Sequence, residues 1–181
     1  MSKNGLILLT PTSIAYTGTS ATISANGSVT FSAVSNVTLN GVFSSDYDNY
    51  MVVQIVTGDG PAPYMRIASS GTNQTTNYTL QYLQVSGTSV VGSRTTSPTA
   101  HWSGTGASAI PGGSVTHIYG PNLNQPTAFR SVNVACDPSN IVRFLDAATT
   151  HSLSASYDGL SLFPSSGSAL SGRVAVYGMR K

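Results

Sequence analysis

The chain has 181 residues, of which 40% are hydrophobic and only 8% are charged, with a formal net charge of +2. This length fits one domain with a substantial core, and the small, dispersed charge excludes the basic surface of a nucleic-acid-binding protein. All six acidic residues are aspartate, and lysine occurs only at Lys3 and Lys181. Because no window shows apolar residues at helical spacing, we expect an all-β protein with almost no helix.

Residues 1–38 are predicted to be an N-terminal arm or a set of opening strands. Their first apolar run is a short strand that ends before Pro11 and consists of Leu6, Ile7, Leu8 and Leu9. The run is too short for a signal peptide or a membrane span, so we expect no membrane partner and synthesis in a bacterial cytoplasm. A strand of this kind can add to the sheet edge of a neighbour, so residues 6–9 are the candidate anchoring strand.

Residues 39–181 are predicted to form a β-sandwich domain. Residues 50–56 are the strongest strand, and since both of its faces are apolar we expect it to be central and covered on both sides. Further strands are predicted at 78–85, 115–120 and 129–136, with turn residues every eight to twelve positions. About ten strands in this arrangement indicate an antiparallel, jelly-roll-like β-sandwich.

The segment 86–113 is rich in Gly, Ser, Thr and Pro and contains His101 and the single tryptophan, Trp102. It is predicted to be a long exposed excursion, and long loops on a rigid β scaffold commonly carry binding. His101 and Trp102 are therefore the candidate recognition residues, with a sugar face or a protein pocket as the ligand. The alternative for both is packing in the core or at an interface.

Catalytic and metal-binding patterns are weak in this sequence. It has no Gly-x-Ser-x-Gly motif, and His101, His117 and His151 are far apart without a His-x-x-x-His pair. Asp46 and Asp48 could supply oxygen ligands to Ca²⁺, but a turn is the simpler interpretation. Cys136 allows no disulfide within the chain and is expected to be a small buried residue. We therefore predict a non-enzymatic protein without a cofactor or a metal.

Three segments are similar to a known family. They are residues 41–50 followed by an apolar strand, the strand 78–85 after a polar loop, and residues 157–167 followed by 172–181. Together they resemble small β-sandwich virion proteins of tailed phages, mainly phages of aquatic bacteria, which occur as capsid decoration or knob proteins and as outer modules of fibres. The resemblance covers about residues 37–181 and includes no catalytic motif.

The resemblance implies a structural protein of the virion surface. The expected role is a decoration, cement or knob protein that binds the major capsid protein or other virion proteins. The alternative is a short fibre or receptor-binding protein that recognises host surface glycans, and a carbohydrate-active enzyme is a third class. By analogy with phage architecture, a homo-oligomer is expected, with a trimer favoured.

Overall fold

The computed structural model describes residues 5–58, 62–105, 112–136, 139 and 141–180. Within these ranges the chain forms fourteen β-strands and no helix, so no helix there is long and apolar enough to span a membrane. In chain order the strands are β1 Leu6–Leu9, β2 Ser13–Ile23, β3 Val29–Asn40, β4 Asn49–Gly58, β5 Pro63–Ser69, β6 Thr72–Asn73, β7 Tyr78–Ser86, β8 Ser89–Thr95, β9 His101–Trp102, β10 Gly112–Tyr119, β11 Gln125–Cys136, β12 Val142–Ala155, β13 Gly159–Pro164 and β14 Leu170–Met179.

All strand pairs are antiparallel and belong to one curled sheet. Its main path follows the order β6-β5-β13-β3-β14-β4-β10-β11-β12-β7-β8, with β1 on β14, β2 on β3 and β9 on β5. The curl brings β3, β5 and β13 opposite β4, β10 and β11 across a shared core. The predicted antiparallel all-β sandwich is confirmed, although the described residues form fourteen strands and not about ten.

Buried aliphatic and aromatic side chains fill the main core between the two halves of the sheet. Each such side chain stabilises the fold by about 1.5–3 kcal/mol when it is fully buried. The largest contributors are Leu39, Tyr50, Met65, Ile67, Tyr78, Ile118, Leu160, Leu162 and Leu170. Because they come from strands far apart in the sequence, the core depends on long-range pairing.

The N-terminal strands belong to the same sheet as the rest of the chain. The predicted division between residues 38 and 39 falls inside β3, and Phe31 on this strand lies in the main core. Residues 6–9 form the expected strand and pair with Val176–Met179 of β14. Their use as an anchor to a neighbour stays a prediction.

The tight turn before β4 is held by a tyrosine hydroxyl. The backbone N–H of Ser44 donates to the Tyr50 hydroxyl at 2.8 Å, and the same hydroxyl lies 2.8 Å from the Ser44 carbonyl and 3.1 Å from the Tyr47 carbonyl, its two available acceptors. The Tyr47 and Tyr50 rings are 6.1 Å apart in an edge-on arrangement. Burial raises the pKa of Tyr50, so the hydroxyl stays protonated and can donate.

Candidate interaction surface

The segment from His101 to Thr105 folds into the protein interior. β9 pairs with β5, with His101 opposite Met65 and Trp102 opposite Tyr64. His101 and Thr105 are at most 1% exposed. The expectation of an exposed loop is therefore wrong at His101, because the curled sheet closes over it. The exposed part of 86–113 is residues 87–97, which include β8, together with Thr99, and residues 106–111 lie outside the described residues.

His101 bridges three strands through its two ring nitrogens. Nδ1 lies 2.8 Å from the Thr149 hydroxyl on β12, and Nε2 lies 2.6 Å from the Ser131 hydroxyl on β11. The ring also stacks on Phe129, with 5.2 Å between ring centroids. Burial lowers the pKa of His101 to about 3, so the imidazole is neutral at ordinary pH and one nitrogen donates while the other accepts.

The Ser131–His101 contact has the spacing of a nucleophile and a base. Both side chains are fully buried, so the pair is closed to a substrate. The second nitrogen of His101 meets a neutral hydroxyl, that of Thr149, where a catalytic triad has a carboxylate. This arrangement therefore serves to hold β9 against β11 and β12.

More polar side chains line the inner face of the sheet beside His101. The Gln54 amide donates to the carbonyl and hydroxyl oxygens of Ser103 at 3.2 and 3.1 Å. The backbone N–H of Thr105 donates to Asn133 Oδ1 at 2.9 Å, and Asn133 Nδ2 donates to the Gly113 carbonyl at 2.9 Å. The inner face of β4, β10, β11 and β12 in this region is thus a hydrogen-bonded polar layer.

The outer face of the same four strands is apolar. Successive side chains of a strand point to opposite faces, so the neighbours of the inward polar residues point outward. Val134, Ile55, Val132 and Phe144 are 55%, 51%, 42% and 37% exposed, and an open groove of about 420 Å³ runs between them. We call this surface the outer apolar face; its members are Val53, Ile55, Val115, Val132, Val134 and Phe144.

This distribution of polar and apolar side chains is the reverse of that usually found in a sheet with one solvated face. Such a sheet normally places apolar residues inward and polar residues outward, whereas β11 buries Ser131 and Asn133 and exposes Val132 and Val134. β4 is central, as predicted, but its outer side is not covered by any described part of the chain at Ile55. Contiguous exposed apolar patches of this kind mark interaction sites.

The other end of the same sheet face is polar. The Arg130 guanidinium donates two hydrogen bonds to the Asp146 carboxylate, at 3.2 and 2.8 Å, and this contact lowers the pKa of Asp146. An open groove of about 530 Å³ lies beside the pair and is lined in part by Gln81, Tyr82 and Arg94. This groove offers hydrogen-bonding groups, whereas the Tyr82 ring points to the opposite face of β7 and packs on Trp102.

The Trp102 ring packs on the inner side of the strands that form this groove. It is half-buried, and its ring lies 4.7 Å from the Tyr82 ring and 6.4 Å from the Tyr64 ring. It also packs on a small core cluster formed by Leu80, Leu145 and Ala147. The structure therefore places the candidate recognition residue among structural contacts, and direct contact of Trp102 with a ligand stays a prediction.

Asp46 and Asp48 lie in the turn that the Tyr50 hydroxyl holds by hydrogen bonds. The Ser44 hydroxyl donates to the Asp46 carboxylate at 3.3 Å, as expected for a capped turn. Among the described residues there is no group of three or more His, Cys, Asp or Glu side chains that could hold a metal ion.

The sequence contained a signal for the outer apolar face, since valine alternates with polar residues along 131–134. Alternation alone does not say which set faces inward, so sequence reasoning missed the face. Comparison with models of known protein families gives no match to this chain, and comparison with curated protein sequences gives no significant match either.

Proposed function

We propose that this chain is a non-enzymatic structural protein of the outer surface of a tailed-phage virion. In the leading form of this proposal it is a decoration, cement or knob protein that binds the major capsid protein. The outer apolar face is the observation that carries the structural role, because an exposed sheet face of this kind gains stability when a protein covers it. The sequence resemblance supplies the virion context.

The distribution of charge supports a role in protein assembly. Charged groups are depleted at the centre of protein interfaces, because they lose hydration there. None of the six residues of the outer apolar face is charged, and the chain as a whole is only 8% charged. Arg130 and Asp146, at the other end of the same sheet face, neutralise each other.

β1 offers a second contact. One of its edges pairs with β14, and in the described part of the chain no strand pairs with its other edge. Leu6 is 47% exposed. The free backbone groups of such an edge can extend a neighbour's sheet, and we therefore assign residues 6–9 the anchoring role.

The test is incorporation into purified particles of a phage that encodes the chain. Wild-type protein is expected in the particles, and the double variant Val132→Asp/Val134→Asp is expected at strongly reduced occupancy. Leu153→Asp is the matched control, because Leu153 is 42% exposed but lies far along β12 from Phe144. Absence of the wild-type chain from the particles, or normal occupancy of the double variant, would contradict the proposal.

The alternative is a short fibre or receptor-binding protein that recognises host surface glycans. The groove beside Asp146 favours it, since Gln81 and Arg94 can donate hydrogen bonds to sugar hydroxyls. In this case Arg94→Ala should abolish adsorption to host cells without lowering incorporation. Unchanged adsorption of this variant would remove the alternative.

A further inference from the structure

We propose that the outer apolar face binds the same face of a second copy of the chain, in a two-fold symmetric dimer. This inference concerns the isolated protein and does not rest on the virion role. Because the proposed virion role assigns the same face to the major capsid protein, a second copy and the capsid protein are alternative occupants of it. It differs from the trimer that phage architecture suggested. Its basis is the arrangement of side chains within the face.

A projection and a hole lie on opposite sides of Val134. Strand register aligns Gly113, Val134 and Phe144 in one row across β10, β11 and β12. Phe144 is 37% exposed and so projects from the sheet. At Gly113, an added Cβ would have no heavy atom within 4 Å, so the surface above this residue is open.

A two-fold axis that lies in the interface and runs along β11 exchanges the two neighbouring strands. It therefore places Phe144 of each copy over Gly113 of the other, with the two Val134 side chains meeting at the axis. Two-fold interfaces need this kind of self-complementarity, in which one patch supplies both the projecting group and its receptor. A different partner protein would need no such match within one face, so the match favours a second copy.

Three strands, β12-β7-β8, follow β11 to one edge of the sheet, and the first three strands on its other side are β10, β4 and β14, after which the sheet continues through β3. An axis along β11 therefore superposes the segment β14-β4-β10-β11-β12-β7-β8 of one copy on the same segment of the other. The strands of the two copies run in nearly the same direction, which matches the aligned packing of two sheets.

The contact reaches the minimum size of a stable dimer when all seven strands take part. Six strand spacings of about 4.8 Å and six residues of about 3.3 Å give a face of about 29 by 20 Å. Two such faces bury roughly 1,200 Å², the lower end of the range for specific stable interfaces. Each Arg130–Asp146 pair has no net charge, and Arg173, which lies beside Ile55 in the register of β14 and β4, is at the rim of the contact, where a charged side chain keeps its hydration.

The first test is the mass of the purified chain by sedimentation equilibrium. We expect twice the chain mass of 18.7 kDa. Val134→Asp should weaken dimerisation by about 30-fold or more, because it buries a carboxylate at the axis. Leu153→Asp, which lies outside the face, should keep the wild-type dimer. Melting curves should show both variants folded.

The second test exchanges the projection and the hole. Gly113→Phe should prevent pairing by placing two rings against each other, and Phe144→Gly should weaken it by leaving two holes. The combined variant Gly113→Phe/Phe144→Gly should regain the dimer, since each new ring again faces a hole. Within one copy these positions are separated by β11, so this rescue requires contact between copies.

Four outcomes would overturn the proposal. They are a wild-type chain that stays monomeric at its highest soluble concentration, a closed trimer, a dimer unaffected by Val134→Asp, and a folded exchange variant that does not regain the dimer. If the exchange variant does not fold, the masses of Val134→Asp and Leu153→Asp in sedimentation equilibrium still decide whether the outer apolar face forms the dimer.

Discussion

His101 Nε2 and Ser131 Oγ lie 2.6 Å apart in the interior of the sandwich, where both side chains are fully shielded from solvent. One residue further along β11, Val132 is 42% exposed. In this part of the sheet, hydrogen-bonded polar side chains thus lie on the inner face and valines lie on the outer face. The hydrogen bonds offset the cost of burying the polar groups, while the exposed valines gain stability only when another surface covers them.

The buried neutral His101 predicts loss of stability in acid. Because burial lowers its pKa in the folded state to about 3, the unfolded chain binds a proton near pH 6.5 that the folded chain does not bind. The free energy of unfolding should therefore fall by up to about 1.4 kcal/mol per pH unit as pH drops below about 6.5. Urea unfolding at several pH values measures this slope.

The matched variants separate titration from packing. His101→Gln should be less stable at neutral pH but should show a shallower slope in acid, since the titrating group is gone. Thr149→Val removes one hydrogen bond of His101 yet keeps the imidazole, so it should keep the wild-type slope. A wild-type slope in His101→Gln would contradict this account.

Trp102→Ala is expected to destabilise the protein by about 2–4 kcal/mol, because the indole packs on Tyr64 and Tyr82 and on a core cluster. Tyr119→Ala is the control, since Tyr119 is 43% exposed and should cost less than about 1 kcal/mol. Thermal melting compares them. A Trp102→Ala protein with normal melting and lost adsorption would instead support a direct recognition role.

Gly104 and Gly113 should respond in opposite ways to alanine. A Cβ at Gly104 would lie 2.9 Å from Pro63 Cγ and 3.2 Å from Asn133 Nδ2, so Gly104→Ala should cost about 1–3 kcal/mol. Within one copy, Gly113→Ala meets no neighbour within 4 Å, so it should be neutral or slightly stabilising for the fold of the single chain. Chemical denaturation of the two variants measures the difference, and equal effects would contradict the close packing of residues 101–105.

Tyr50→Phe should lower stability by about 1–2 kcal/mol, because the Ser44 N–H then loses its acceptor in a partly buried turn. Tyr16→Phe provides the comparison, since Tyr16 is 46% exposed and its change should lie within about 0.5 kcal/mol. Urea midpoints of the two variants test this. Equal midpoints would show that the Tyr50 hydroxyl does not hold the turn.

Sequence patterns predicted the fold class because they are local. Alternation, turn residues and the scarcity of helix formers all act over a few residues, and residues 50–56 were correctly identified as a central strand. The burial of His101 could not be predicted in this way. It depends on pairing of β9 with β5 and on hydroxyls from Ser131 and Thr149, which are distant in the sequence.

The outer apolar face shows the same limit of local patterns. Residues 50–56 are apolar on both faces, which predicted cover on both sides, and the part of the chain that the structure describes covers the side of Tyr50 and Val52 but leaves Ile55 51% exposed. The sequence thus carried information about a second apolar face, but not about what would cover it. The proposed interface with another chain would reconcile the pattern with the structure.

The most direct test of the central claim is a near-atomic cryo-electron microscopy reconstruction of intact particles of a phage that encodes this chain. The account predicts density for the chain on the outer surface of the head, with Val132, Val134 and Phe144 covered by protein. A reconstruction in which these three side chains face solvent, or one without density for the chain, would contradict it.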